Sequence, residues 1–319
     1  GYVVVRQDVR GRYDSDGTFY AFKNEADDGY DADEWFGSQP WFDGNLGTIG
    51  GSYVGYTQWA LLQDPPPELA AAVVTVAPHD MHSSAWGTGS FTLNDFLGWS
   101  DLVGNQEQPA LQRLLFQMRA AKRLDRGVQG LPLGTAGREF LGTTAPWYES
   151  WIEHPDGADP FWTDLRALDA LDRVETPVLL ISGWQDLFLN QTIAQYRHLR
   201  GRGVDVALTV GPWTHFDMTS RAAGVAARET LDWLAAHRPL SGNPPAEVLF
   251  RKKGMDGLGP AVEHKVRHAR RRQDSNQNPL VTVLFIEDEA GLIDVLNDAR
   301  STGKRITTIL ANRRGFTDL

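Results

Sequence analysis

The sequence predicts an α/β fold with a mostly parallel sheet and one helical insertion, and three observations carry that prediction. Short apolar runs bounded by turn residues recur at residues 46–49, 71–77, 177–182 and 204–210, the pattern of strands buried on both faces. Helix-length segments at 53–63, 190–199 and 222–237 are interspersed with them, and strands alternating with helices imply βαβ units. Between about residues 84 and 171 the rhythm breaks, with Trp86, Trp99, Trp147, Trp151 and Trp162, helical spacing through 110–124 and no convincing strand.

Taken in order, residues 2–7 are a β-branched run and read as a first strand ending at Gln7-Asp8. A long polar stretch follows until the turn Asp43-Gly44-Asn45 introduces the strand at 46–49. Residues 1–83 and 172–240 then form one core, residues 84–171 a helical cap, and residues 241–319 a C-terminal segment of different character. The boundary is marked by Pro239-Leu-Ser-Gly-Asn-Pro-Pro245. Beyond it, residues 280–286, 291–300 and 305–310 have the makings of a strand, a helix and a strand. No internal repeat is present.

With 319 residues, 41% of them hydrophobic, the chain has ample material for a buried core. Its net charge of −10 argues against a general nucleic-acid binder, which needs a basic surface. One segment departs from this balance: residues 251–272 hold eight Lys/Arg and two acids, a local +6 that leaves −16 for the rest. They lack the aromatic interleaving of a nucleic-acid site. The chain has no cysteine, so any nucleophile is oxygen or nitrogen and thiolate metal sites are excluded. No stretch is long and apolar enough to span a membrane, and no signal-peptide profile opens the chain. A soluble, cytoplasmic protein is expected. The chain opens at Gly1-Tyr2-Val3 without an initiator Met, which suggests an upstream segment.

The sharpest local signal is Gly50-Gly51-Ser52-Tyr53-Val54-Gly55, between an apolar run and an amphipathic helix. A strand–turn–helix elbow strains the backbone so that a serine Oγ is exposed, and small neighbours let strand and helix pass closely. The amide of Tyr53 then faces a developing oxyanion from a helix N-terminus. The second glycine falls one residue later than in G-x-S-x-G, and a plain glycine-rich turn is the alternative reading. A serine needs a histidine to accept its proton and a carboxylate to orient that histidine. Asp186, after the strand at 177–182, and His215, after the strand at 204–210, meet this need at strand ends. Singly, Asp186 also reads as a helix cap and His215 as a loop histidine. Their order after Ser52, at three strand ends, favours the joint reading. His79, Asp80 and His82 fall short of a metal site, and the acidic run Asp27, Asp28, Asp31, Asp33 and Glu34 reads as a solvated face without calcium-loop spacing. No metal and no cofactor is expected.

With these residues in view, the chain resembles the CocE/NonD group of α/β-hydrolases, which holds cocaine esterases and X-prolyl dipeptidyl peptidases. The resemblance runs through Asp8-Val-Arg-Gly11, Gln39-Pro-Trp-Phe-Asp-Gly44, Gly50-x-Ser52-Tyr53-x-Gly55, Phe96-Leu-Gly-Trp-Ser100, Gly183-Trp-x-Asp186 and Gly211-Pro-Trp-Thr-His215. It covers roughly residues 1–250. It implies an α/β-hydrolase fold with a helical cap, Ser52 as nucleophile, His215 as general base and then acid, and Asp186 as the orienting carboxylate. It also implies the backbone amide of Tyr53 as an oxyanion donor. Trp86, Trp99 and Leu102 fall at positions resembling the family's acyl-pocket wall, joined by Phe188 beside Asp186. For each of these four, ordinary cap packing is the other reading.

Two departures from the family follow. Its second oxyanion donor is a tyrosine hydroxyl upstream of the segment resembling residues 2–11, outside the sequence as given. Its jelly-roll domain would begin near Glu247-Val-Leu-Phe250, but the resemblance stops at Arg251. The chain is thus expected to be truncated at both ends, with residues 251–319 an unrelated or out-of-register tail. The function implied is hydrolysis of a small ester, an amide or a short peptide. The alternatives are an X-prolyl dipeptidyl peptidase, for which no carboxylate can be assigned to bind a free α-amino group, and an inactive hydrolase fragment with a basic binding tail.

Overall fold

A computed structural model describes residues 3–237 and two short strands, Val283–Ile286 and Thr308–Ala311. The elements run α1 (Glu25–Gly37), β1 (Leu46–Gly51), α2 (Tyr53–Leu61), β2 (Leu69–Thr75), α3 (Met81–Trp86), α4 (Leu93–Gly104), α5 (Ala110–Gly127), α6 (Leu133–Leu141) and α7 (Trp147–Glu153). A 3₁₀ turn at Pro160–Leu165 leads into α8 (Leu168–Arg173), β3 (Val178–Gln185), α9 (Leu189–Gly201), β4 (Val206–Thr214), a second 3₁₀ turn at His215–Thr219 and α10 (Ala223–His237).

Strands β1 to β4 form one parallel sheet in that order. Side chains alternate across it, and the central strands β2 and β3 are covered on both faces, which is why they read as unbroken apolar runs, whereas β1 at the sheet edge is not buried as its sequence predicts and leaves Ile49 59% exposed. Ala72, Val74, Val178 and Leu180 pack with Trp59 and Leu62 of the α2 segment, Leu171 of α8 and Leu199 of α9. Their neighbours Ala71, Val73, Leu179 and Ile181 pack on the other face with Trp213 and, from α10, Leu234. The strands β5 (Val283–Ile286) and β6 (Thr308–Ala311) pair in parallel; β5 lies inside the predicted run 280–286, and β6 overlaps the run 305–310 and ends one residue beyond it. The segments 238–282 and 287–307, with the predicted boundary, the basic stretch and the helix at 291–300, lie outside the described residues.

Two expectations are corrected. Residues 3–9 form no strand; they run without a ladder partner, with Val4 45% and Val5 37% exposed. A β-branched run favours extended backbone but becomes a strand only when its N–H and C=O groups find a partner strand. Conversely, the polar stretch before β1 contains the 13-residue helix α1, and the acidic run lies on it. Asp27, Asp31 and Glu34 are exposed, whereas Asp28 pairs with Arg10.

Among the described residues, 84–171 holds helices and turns and no strand of the sheet. This region shares one core with the strand–helix layer: Phe22, Tyr56, Ala60 and Met81 pack with Phe96, Trp147, Tyr148, Trp151 and Trp162. Polar contacts pin the junction. Gln191 on α9 accepts from the amides of His79 (2.9 Å) and Asp80 (3.0 Å) and donates to the Asp80 carbonyl and to Ser84 Oγ. Asp80 caps α3 through the Ser83 amide and pairs with Arg166 at 2.9 Å. Among the described residues no helix is long and apolar enough to cross a membrane.

Candidate active site

Ser52 stands at the junction of β1 and α2 with φ 57° and ψ −122°, left-handed backbone that costs a non-glycine residue about 1–3 kcal/mol. Its surroundings leave little choice of geometry. The Ser52 amide donates to the Thr75 carbonyl on β2 (2.9 Å), and its own carbonyl accepts from the amides of Gly55 and Tyr56 (3.0 Å each). A methyl group at Gly50 would stand 2.1 Å from the Val54 carbonyl oxygen, and one at Gly55 2.4 Å from Ala77 Cβ. The glycines therefore let α2 fold back against β1, which it follows, and against the end of the β2 segment at Ala77. The Gln58 side chain ties the same layers together, donating to the Val73 carbonyl at 3.0 Å.

β3 and β4 each end in a residue aimed at this turn. Asp186 follows β3 with its side chain fully buried, and His215 follows β4. His215 Nδ1 lies 2.7 Å from Asp186 Oδ1, and Nε2 lies 2.9 Å from Ser52 Oγ. An ionised carboxylate only accepts, so the proton belongs on Nδ1, leaving Nε2 as acceptor for the serine hydroxyl. The other oxygen of Asp186 accepts from Ser182 Oγ (3.1 Å) and from the Phe188 amide (3.2 Å), which fixes the carboxylate plane. Sequence reasoning missed Ser182, which reads as one more residue of a buried strand.

Tyr53 supplies the first backbone amide of α2, which has no carbonyl within the helix to bond. Its side chain is held more firmly than its position in the sequence suggests. The hydroxyl accepts from the Phe22 amide at 3.0 Å and contacts the Glu25 carboxyl, and the ring stacks on Phe22 with centroids 4.3 Å apart. Burial pushes the Glu25 carboxyl up to about 7, partly opposed by its hydrogen bond to Tyr53. Nothing in the sequence sets Glu25 apart from the acids that follow it.

The four candidate pocket residues separate. Phe188 sets its ring edge-on to the His215 ring at 5.5 Å. Trp99 on α4 stacks near-parallel to Tyr53 at 6.3 Å and to Phe22 at 5.4 Å. Trp86, partly buried, packs against Phe91 with ring centroids 5.3 Å apart and donates its indole N–H to the Trp151 carbonyl (2.8 Å). Leu102 is 47% exposed and lines a cavity of about 300 Å³ between α4 and α5, with Phe116 and Leu124. His79, Asp80 and His82 diverge: His79 Nδ1 meets Gln195 at 3.1 Å, His82 Nε2 meets the Pro155 carbonyl at 3.0 Å, and Asp80 is engaged by Arg166. Among the described residues no cluster of three or more His, Asp or Glu side chains is placed to hold a metal ion.

A parallel sheet with helices on both faces, a helical cap and a serine on a strained strand–helix turn define the chain as an α/β-hydrolase. More narrowly, it belongs to the family described as X-Pro dipeptidyl-peptidase (S15 family), which residues 1–217 match. It is similar to the cocaine esterase of Rhodococcus sp. (strain MB1 Bresler), at 31% identity over 71% of this chain and 42% of the esterase. The chain thus spans less than half the length of this curated relative. Among solved structures it is similar to an aminopeptidase from a marine sediment Thaumarchaeota archaeon, at 21% identity over 72% of this chain and 42% of that one, with a TM-score of 0.53. It is also similar to a CocE/NonD family hydrolase from Staphylococcus aureus, at 21% identity over 73% of this chain and 36% of that one, with a TM-score of 0.52. The CocE/NonD resemblance seen in the sequence motifs is thereby shown.

Proposed function

We propose that this chain carries the catalytic centre of a serine hydrolase that cleaves small carboxylic esters through an acyl-enzyme, and that Ser52, His215 and Asp186 are its triad. The observation that carries this reading is the relay from Ser52 Oγ through both nitrogens of His215 to Asp186. His215 Nε2 takes the hydroxyl proton as Ser52 Oγ bonds to the acyl carbon, and the oxyanion forms opposite the Tyr53 amide. The proton passes to the leaving alcohol as its bond to the acyl carbon breaks. Water then attacks the acyl-serine, again losing its proton to His215, and releases the acid with Ser52 restored. Asp186, hydrogen-bonded to Nδ1, orients the ring and stabilises the imidazolium.

Phe188 and Trp99 are the proposed walls beside the acyl group, which favours a bulky apolar acyl chain. Residues 84–171 are the proposed cap, residues 1–83 and 172–240 the catalytic core, and residues 241–319 a separate segment. Hydrolysis of X-Pro amides is the second reading, favoured by the family match over residues 1–217. The first reading is tested with a fluorophosphonate probe, using a Ser52→Ala variant as control and mass spectrometry to locate the adduct. Labelling confined to Ser52 is the expected result; a folded protein that stays unlabelled would falsify the proposal. Ester and X-Pro amide panels then separate the two readings.

A further inference from the structure

Behind the serine stands a buried side chain with no part in the three-residue relay. Glu25, the first residue of α1, is 5% exposed, and it points one oxygen at the Tyr53 hydroxyl while the other has no hydrogen-bond partner. Burying a carboxyl group so incompletely satisfied is costly, and surface acids of the same helix do not bear that cost. Phe22, which shares the Tyr53 hydroxyl through its amide, itself sits at φ 66°, strained backbone for an aromatic residue. Two unfavourable arrangements therefore converge on one phenol, and that phenol belongs to the residue directly after Ser52.

We propose that Glu25 is a positioning residue which, with the Phe22 amide, clamps the Tyr53 side chain and so fixes the direction of the Tyr53 backbone amide towards the oxyanion. This rests on the hydrolase reading above. The connection is short. The Tyr53 ring is pinned at its hydroxyl by Glu25 and Phe22 and along its face by the Phe22 ring. Rotation of the φ/ψ pair at Ser52, already strained, is the motion that would both release strain and turn the amide away. A phenol held at its far end opposes that rotation. The clamp reaches the cap as well, because Trp99 stacks over both Phe22 and Tyr53.

The test follows fluorophosphonate labelling over time, resolved into a binding constant KI and a limiting rate kinact. In that reaction Ser52 Oγ bonds to phosphorus, fluoride leaves, His215 takes the hydroxyl proton, and the phosphoryl oxygen occupies the oxyanion position. Tyr53→Phe, which keeps the ring, and Glu25→Ala are each expected to lower kinact about tenfold with KI changed less than about twofold, and the double variant no further. Glu25→Gln, which still accepts from the Tyr53 hydroxyl, is expected to label at nearly the wild-type rate. Folding is checked by circular dichroism and thermal denaturation. Wild-type kinact in folded Tyr53→Phe overturns the assignment, as does a loss confined to KI, which would make the pair a shaper of the pocket. Absence of Ser52 labelling in the wild-type protein overturns the hydrolase reading and this assignment together, whereas a labelling wild type with unaffected variants overturns this assignment alone.

Discussion

Asp186 and Ser182 lie on the same strand end, four residues apart, and the buried serine hydroxyl donates to the carboxylate oxygen that His215 leaves free, at 3.1 Å. Replacing Asp186 with Asn puts a donor where His215 Nδ1–H needs an acceptor and favours the wrong tautomer. Labelling of Ser52 by the fluorophosphonate is expected to slow by about 10³ to 10⁴-fold. Ser182→Ala, which leaves the relay itself intact, is expected to cost far less, and stopped-flow labelling rates of the two variants measure the ratio.

The elbow is a tight packing problem. Gly55→Ala brings its new methyl to 2.4 Å from Ala77 Cβ, and overpacking of this kind costs about 1–3 kcal/mol. Gly50→Ala meets a backbone carbonyl oxygen at 2.1 Å, which has less room to yield, so the lower melting temperature is expected for this variant. Thermal denaturation of the pair checks the order.

Strain at Ser52 runs the other way. Glycine accepts φ 57° without the penalty that serine bears, so Ser52→Gly is expected to abolish labelling and to leave the protein as stable as the wild type, or up to about 1 kcal/mol more stable. A marked loss of stability in urea titration would contradict the strained elbow.

Glu25 gives the fold a pH dependence whose sign is fixed by its burial. Its carboxyl moves from 4.5 to about 7 in the folded chain, so between those values the native state holds a proton that the unfolded state has released. Stability then falls as pH rises from about 4.5 through about 7, and is level above that. Tyr53 and Asp28 are the titratable groups that act on it. Glu25→Gln removes this slope. The melting temperature of the variant relative to wild type is expected to climb between pH 5 and pH 8, and a constant difference across that range would contradict the buried, protonatable carboxyl.

Much of this architecture was legible in the sequence for a physical reason. β2 and β3 are covered on both faces, so their buried runs stand out with no need for periodicity; Asp186 can be counted off from the end of β3, and His215 from the end of the apolar run of β4. Residues 3–9 mislead because a β-branched run has the conformational preference of a strand without its partner. Helix α1 was hidden because its acids look like a solvated stretch, and only tertiary packing reveals that Glu25 lies beneath Tyr53 while Asp27 faces water. Gly50 and Gly55 were legible as glycines; what they make room for was not.

The aromatic layer that joins Phe22 and Tyr56 to Trp147 and Trp151 has a consequence for anyone redesigning this scaffold. A cap with a core of its own can be exchanged like a module, carrying its specificity with it. Here the tryptophans of the helical region are the floor on which the loop around Phe22 rests, so a foreign cap would arrive without the surface that the Phe22 ring packs on. Any successful transplant must bring residues 19–25 along with the helices, and selection on such a chimera will return changes on both sides of that seam.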